Sequence, residues 1–402
     1  MARQLNHEEV NTMRQLKRVV HRCLPVLGIL VLAACTTNNS APNNSSNNST
    51  GTAPTETAQN TEFPAAKGCK NVGILLPESD SSARYEAYDR PLLEKEIKAA
   101  LPGVTIQYAN ANNNATTQQN QAEAALTKGA CILVVDPNDS DQASVIVQQA
   151  KASGVPVIAY DRLIQDPDTA FYVSFDNERV GELQGQYIAE QYRAGNFGLT
   201  KGANLAMING AQTDNNALLF RKGALKALQP LVDSGDLNLV FDQYTPNWDN
   251  SRAQSLMEGV LTKQGNDVQI AYVANDGMAN TVIAALRTQK LNGKVLVTGQ
   301  DATPTGIQNI LTGDQAMTIY KPIAQEAKAT ARLVAALSNG EDTSDIVNGE
   351  TEIKGGGTIP SVLETPIVVD KSNVEETVIA DGFLTREQIC SGLPSGAGGV
   401  CP

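Results

Sequence analysis

From about residue 70 onward, short apolar runs alternate with amphipathic stretches almost without a break. Runs at 72–76, 104–108, 131–135, 155–160 and 171–175 predict strands. The segments between them predict helices near 85–100, 116–128 and 141–153. The run Val155-Pro156-Val157-Ile158-Ala159-Tyr160 is apolar at successive positions, which suits a strand covered on both faces rather than one. A strand–helix rhythm of this kind specifies a parallel, doubly wound sheet. A second set starts after Asp176. There Val180, Leu183, Tyr187 and Ile188 fall on one face of a helix near 178–193. Strands at 204–208, 237–242, 269–274 and 294–298 follow, with helices at 216–230, 250–263 and 278–289 between them. The last third predicts a helix, a strand Met317–Tyr320, a long Ala-rich helix, a polar loop over 340–358, a strand Pro366–Asp370 and a short final helix.

The expected fold is therefore α/β, with two doubly wound parallel-sheet lobes that exchange segments. One lobe is expected from 63–176 plus 302–339, and the other from 177–301 plus 359–389. Residues 390–402 form a Gly/Ser-rich tail with a cysteine pair.

In open α/β sheets, ligands bind at the carboxyl ends of the strands. Polar groups stand at those ends here. Tyr160 runs into Asp161 and Arg162, Ala274 into Asn275 and Asp276, Thr298 into Gln300 and Asp301, and Tyr320 into Lys321. Carboxylates, planar amides and cations pair well with hydroxyls, so these residues suit a small polyhydroxylated ligand. Each also has a plainer reading. Asn275 and Asp276 are good helix caps, Asp161 and Arg162 make a structural ion pair, and Trp248 sits in a core. Asp136 and Asp139 read as turn residues.

The first 62 residues read as something other than fold. Arg14, Lys17, Arg18 and Arg22 precede an apolar stretch, Leu24 to Leu32, that is too short to span a bilayer. Leu32-Ala33-Ala34-Cys35 resembles a bacterial lipoprotein signal, with Cys35 as the lipidated residue; an ordinary signal ending near Ala34 is the alternative. Residues 36–62 are almost wholly Asn, Ser, Thr, Ala and Pro, and are expected to be a flexible tether.

A net charge of −12 argues against a nucleic-acid partner. Cys69, Cys131, Cys390 and Cys401 remain after the leader, an even number that suits an oxidising compartment. First and third strands are neighbours in a doubly wound sheet, so Cys69 is expected to pair with Cys131. Cys390 then pairs with Cys401, and four free thiols are the alternative. Both histidines, His7 and His21, precede Cys35. This removes the commonest general base and the usual zinc sets from the rest of the chain. No phosphate-binding Gly-rich loop occurs. A carboxylate-pair glycosidase using Asp161 and Asp301 would need poised acids, and these are interleaved with Arg and Lys. No enzyme, cofactor or metal is expected.

Several motifs carry a resemblance: Tyr160-Asp161-Arg162-Leu163-Ile164, Phe171 to Gln184, Asp214 to Arg221, Asn275-Asp276, Gly299-Gln300-Asp301-Ala302 and Tyr320-Lys321-Pro322. Together they resemble the bacterial periplasmic D-xylose-binding proteins, and the similarity runs from about residue 70 to 387. These are lipoprotein or periplasmic solute receptors of ABC sugar importers with the type I periplasmic binding protein fold. The resemblance implies two lobes closing over one sugar at a three-strand hinge. It implies sugar contacts from Arg84, Asp161, Arg162, Asp214, Asn216, Arg221, Trp248, Asn275, Asp301 and Lys321. Tyr85 stands where that family usually has Trp, and the loop Pro77–Ala83 departs most from its pattern. The implied partners are an aldose (D-xylose, or glucose, galactose or arabinose), the importer's permease subunits and, through the lipid on Cys35, the membrane. An extracytoplasmic monomer is expected, and a sugar-sensing role is the alternative to transport.

Overall fold

A computed structural model describes residues 63–402, Asp80 apart. The leader, the tether and Cys35 lie outside the described residues. The first lobe opens with β1 (Asn71–Leu76), α1 (Arg90–Ala100), β2 (Thr105–Asn110), α2 (Ala115–Thr127), β3 (Ile132–Val135), α3 (Ser144–Ala152), β4 (Val157–Tyr160) and β5 (Phe171–Phe175). Successive side chains of a strand point to opposite faces, and β1 serves two cores in this way. Val72, Ile74 and Leu76 join the α1 side, while Leu75 joins the α2–α3 side.

The second lobe holds α4 (Asn177–Ala194), β6 (Ala203–Asn209), α5 (Asn215–Asp233), β7 (Leu237–Tyr244), α6 (Asn250–Lys263), β8 (Ile270–Val273), α7 (Asp276–Thr288) and β9 (Leu296–Val297). Its sheet order is β7-β6-β8-β9, all parallel. Helices α4 and α5 touch backbone to backbone. A Cβ on Gly181 would lie 1.8 Å from the Phe220 carbonyl oxygen, and one on Gly223 would lie 1.9 Å from that of Glu178. Only glycine permits this approach, and it fixes the start of α5, which carries site residues.

The remaining elements are α8 (Pro304–Thr312), β10 (Met317–Tyr320), α9 (Ile323–Asn339), β11 (Gly349–Glu352), β12 (Thr358–Glu364), β13 (Ile367–Asp370) and α10 (Arg386–Cys390). Their allegiance corrects the expected partition. Met317 and Ile319 pack into the second-lobe core, and the Ala316 and Thr303 N–H groups donate to Val297 and Asp276 of that lobe, so these residues do not join the first lobe. Helix α9 does: Ala327, Leu333 and Val334 pack with β1 and α1 residues. Residues 340–358, expected to be loop, contain β11. Strand β12 pairs parallel with β5, so 358–364 belongs to the first sheet, whose order is β11-β12-β5-β4-β3-β1-β2. Strand β13 returns to pair antiparallel with β10. The chain therefore crosses between lobes after β5, after β10 and after β12.

The cysteines pair as Cys69–Cys131, with Cα atoms 5.6 Å apart, and Cys390–Cys401. The first bridge joins the starts of β1 and β3, which are hydrogen-bonded neighbours. No described helix is long and apolar enough to cross a membrane.

Candidate ligand-binding site

The carboxyl ends of β4, β8 and β10 converge with the start of α5 on a tight cavity with a free volume of about 20 Å³, well below the range of small-molecule pockets. Asp161, at the end of β4, has φ of 54°. Its main-chain carbonyl accepts from Tyr172 Oη at 3.0 Å, Ser174 Oγ at 2.6 Å and Asn216 Nδ2 at 2.9 Å. Three donors on one oxygen lock an uncommon backbone conformation. Trp248 and Asp301 also hold positive φ, at 55° and 97°. Such strain is disfavoured by about 1–3 kcal/mol per residue and gathers at ligand sites.

Nine of the ten residues implied to touch a ligand line this cavity: Arg84, Asp161, Arg162, Asp214, Asn216, Trp248, Asn275, Asp301 and Lys321. Arg221 does not. It pairs instead with Asp242 on β7, Nε to Oδ1 at 3.0 Å. The reason is helical. Phe220 follows Asn216 by four positions and shares its face, whereas Arg221 is swung about 140° further round from Asn216. Phe220 accordingly lines the cavity, as do Ser81, Ser82, Tyr85 and Gln300. The i, i+4 spacing from Asn216 was a signal for Phe220; no pattern pointed to Ser81 or Ser82. Asn275 does both jobs. Its Oδ1 caps α7 by accepting from the Met278 N–H at 2.9 Å, yet the residue borders the cavity.

The charges form one buried network. Arg84 donates to Asp89 through Nε at 2.9 Å and Nη2 at 2.6 Å, and to Asp161 through Nη1 at 3.1 Å. Lys321 Nζ lies 3.2 Å from Asp161 Oδ1 and 3.7 Å from Asp301 Oδ1. Arg162 Nε lies 3.0 Å from Asp214 Oδ2 and 3.7 Å from Asp136 Oδ1. Asp136 is thus a buried member of the network rather than a surface turn residue. Burial opposes ionisation of Asp136, Asp161, Asp214, Asp301 and Glu326. At Asp161 the charges of Arg84, Lys321 and Arg162 outweigh burial and hold the carboxyl well below its usual range. At Asp136, and at Glu326 on α9, whose Oε2 accepts from Arg84 Nη2 at 3.3 Å, burial wins and pushes the carboxyls far up. Burial also raises Asp214 and Asp301, less strongly.

Aromatic surface completes the wall. Trp248 donates from Nε1 to Asp214 Oδ2 at 3.1 Å and meets Phe220 edge-on, with centroids 6.4 Å apart. Two buried acceptors on the lining, Asp301 Oδ1 and Gln300 Oε1, have no hydrogen-bond partner within the protein. Buried polar atoms are rarely left so without a reason. Among the described residues, no cluster of His, Cys, Asp and Glu is arranged to hold a metal ion.

Two α/β lobes joined by three crossovers, with a polar and aromatic cavity at their strand ends, define the type I periplasmic binding fold. The chain belongs to that family: residues 72–342 match the periplasmic binding protein domain. It is 40% identical over 325 residues to the D-xylose-binding periplasmic protein of Escherichia coli K12, covering 81% of this chain and 94% of the relative. The multiple sugar-binding periplasmic receptor ChvE of Rhizobium radiobacter is 33% identical, with 81% and 94% covered. Among solved structures, an ABC transporter solute-binding protein from Clostridium phytofermentans with bound β-D-glucose superposes with a TM-score of 0.72 at 31% identity, covering 80% of this chain and 100% of that one.

Proposed function

We propose that this protein binds one aldopyranose, D-xylose or a close relative, between its lobes and hands it to the permease of an ABC importer. It acts outside the cytoplasm, as a monomer tethered through a lipid on Cys35, and it catalyses no reaction. The observation that carries the reading is the cavity itself. It offers ionised Asp161, two arginines, a lysine, amides and two buried acceptors that receive no hydrogen bond within the protein, beside Trp248 and Phe220. Sugar hydroxyls both donate and accept, and their C–H faces suit aromatic rings. The D-xylose-binding relative supports the choice of ligand.

A sugar-sensing receptor for glucose, galactose or arabinose is the second reading. It is supported by the relative named as a multiple sugar-binding receptor and by the glucose-bound structure. Calorimetric titration with a panel of monosaccharides tests both. D-xylose is expected to bind most tightly, with one site per chain. Tighter binding of glucose, galactose or arabinose favours the second reading, and no binding of any aldose overturns both.

A further inference from the structure

Two guanidinium groups lie near the Tyr85 ring, with the Cζ atoms of Arg84 and Arg162 at 5.3 Å and 5.4 Å from its centre. Its Oη accepts from Arg162 Nη2 at 2.9 Å and is 3.5 Å from Asp161 Oδ2, toward which it donates weakly. The phenol thus accepts from a cation and gives to a carboxylate. A sugar hydroxyl would do the same between the same two cavity-lining residues. Burial pushes the Tyr85 phenol well up, so the hydroxyl keeps its proton.

Resting on the sugar-binding reading above, we infer that the Tyr85 hydroxyl occupies a hydroxyl subsite of the cavity and so excludes ligands that carry an extra hydroxyl at that place. Tyr85 is then a specificity residue. Arg162 Nη2 is committed to it rather than offered to the sugar, and Asp161 Oδ2 lies at the edge of its reach. Removing the one oxygen frees Arg162 Nη2 and leaves room for another hydroxyl beside both groups. The cavity would then discriminate less between a sugar and its more hydroxylated counterpart, at one ring position only.

The test titrates the full chain and its Tyr85→Phe variant with sugars that differ by one group: D-xylose against D-glucose, and glucose against its monodeoxy forms. The expected result is that one pair's affinity ratio moves about tenfold toward the more hydroxylated sugar, the scale of one hydrogen bond, while the other pairs hold. Thermal unfolding checks that the variant folds. Tyr85→Leu removes the hydroxyl with the ring and must move the same pair in the same direction, so it carries the test if the Phe variant unfolds. An equal loss of affinity for every sugar would mean that Tyr85 only props Arg162, and overturns the inference. Unchanged ratios overturn it too. A wild-type protein that binds no sugar overturns the functional reading itself, which is a distinct outcome.

Discussion

Asn216 Nδ2 donates to the main-chain carbonyl of Asp161 at 2.9 Å, tying the start of α5 in the second lobe to the end of β4 in the first. Arg162 reaches Asp214 alongside it, and Ser140 N–H donates to the Thr213 carbonyl at 2.8 Å. A ligand shifts an equilibrium between open and compact forms only through contacts that differ between them. Bonds that bridge the lobes without involving the ligand contribute to the compact form in the same way. Asn216→Ala is therefore expected to weaken sugar binding by roughly 1–3 kcal/mol, the range for a buried bond whose partner is left behind. Small-angle scattering should show less compaction at equal saturation. Unchanged affinity and compaction would show that this bond does not govern closure.

Asp161 supplies charge and conformation separately, and two variants divide them. Asp161→Asn keeps a residue type that tolerates positive φ but removes the charge held by Arg84 and Lys321. A loss of about 1.5–3 kcal/mol in binding is expected, as for a hydrogen bond to a charged group. Asp161→Ala should lose that and a further ~1 kcal/mol of fold stability, since alanine is strained at φ of 54°. Calorimetry and urea unfolding on both variants check this. Equal stabilities would show that the backbone at 161 is not strained.

Arg221→Ala is expected to leave sugar affinity within about twofold of wild type. Its ion pair with Asp242 is partly exposed, and such pairs contribute about 0–1 kcal/mol to stability. A tenfold loss of affinity would return Arg221 to the site.

The Arg221–Phe220 exchange shows what was legible in the chain. Strand ends are legible, because a long apolar run stops at the edge of a buried sheet; Asp161, Asn275, Asp301 and Lys321 all follow such runs. Along α5 a motif fixes only the neighbourhood, and helical phase decides which side chain faces the cavity. The β11–β12 hairpin was illegible for another reason. Glu350, Thr351 and Glu352 lie on an edge strand that is exposed or half-buried, so no apolar run marks it. The allegiance of 302–320 and 358–364 depends on which sheet edge each meets after a crossover, and periodicity carries no such information. Asp136 followed a strand like the others, but its burial under Arg162 arises only in three dimensions.

Asp276 should make stability depend on pH near neutrality. It accepts from Gln315 Nε2 at 2.8 Å, Thr318 Oγ1 at 2.9 Å and the Thr303 N–H at 2.8 Å, bracing the loop that holds Gln300 and Asp301. Burial pushes its carboxyl from 3.8 up to about 7, against those donors. Between these two values the folded protein keeps a proton that the unfolded chain has lost. The contribution is thus complete below pH 3.8 and lost as pH rises through about 7. At 1.36 kcal/mol per unit it amounts to roughly 4 kcal/mol. Asp276→Asn cannot titrate. The stability difference between wild type and variant, from urea unfolding at several pH values, should therefore drift against wild type across this window. A constant difference would mean that Asp276 stays ionised throughout.

Trp248 is the single tryptophan of the chain, so its emission reports one place. Its indole is set by two contacts that can be changed one at a time. Nε1 donates to Asp214 Oδ2, and the ring lies so close over Gly210 that a Cβ there would stand 2.1 Å from its edge. A sugar packed on the ring replaces water with C–H groups, so emission should change saturably with the midpoint found by calorimetry. Gly210→Ala must push the ring out of its seat, since the three atoms nearest a Cβ there all belong to the indole. It is expected to shift the resting emission and weaken sugar binding by about tenfold or more, because an aromatic platform acts through close contact and desolvation. Trp248→Ala should weaken binding at least as much while leaving the fold intact. If emission stays fixed for a sugar that calorimetry shows to bind, and Gly210→Ala binds it normally, the ligand does not rest on Trp248 and must be held from the Arg84 and Phe220 sides alone.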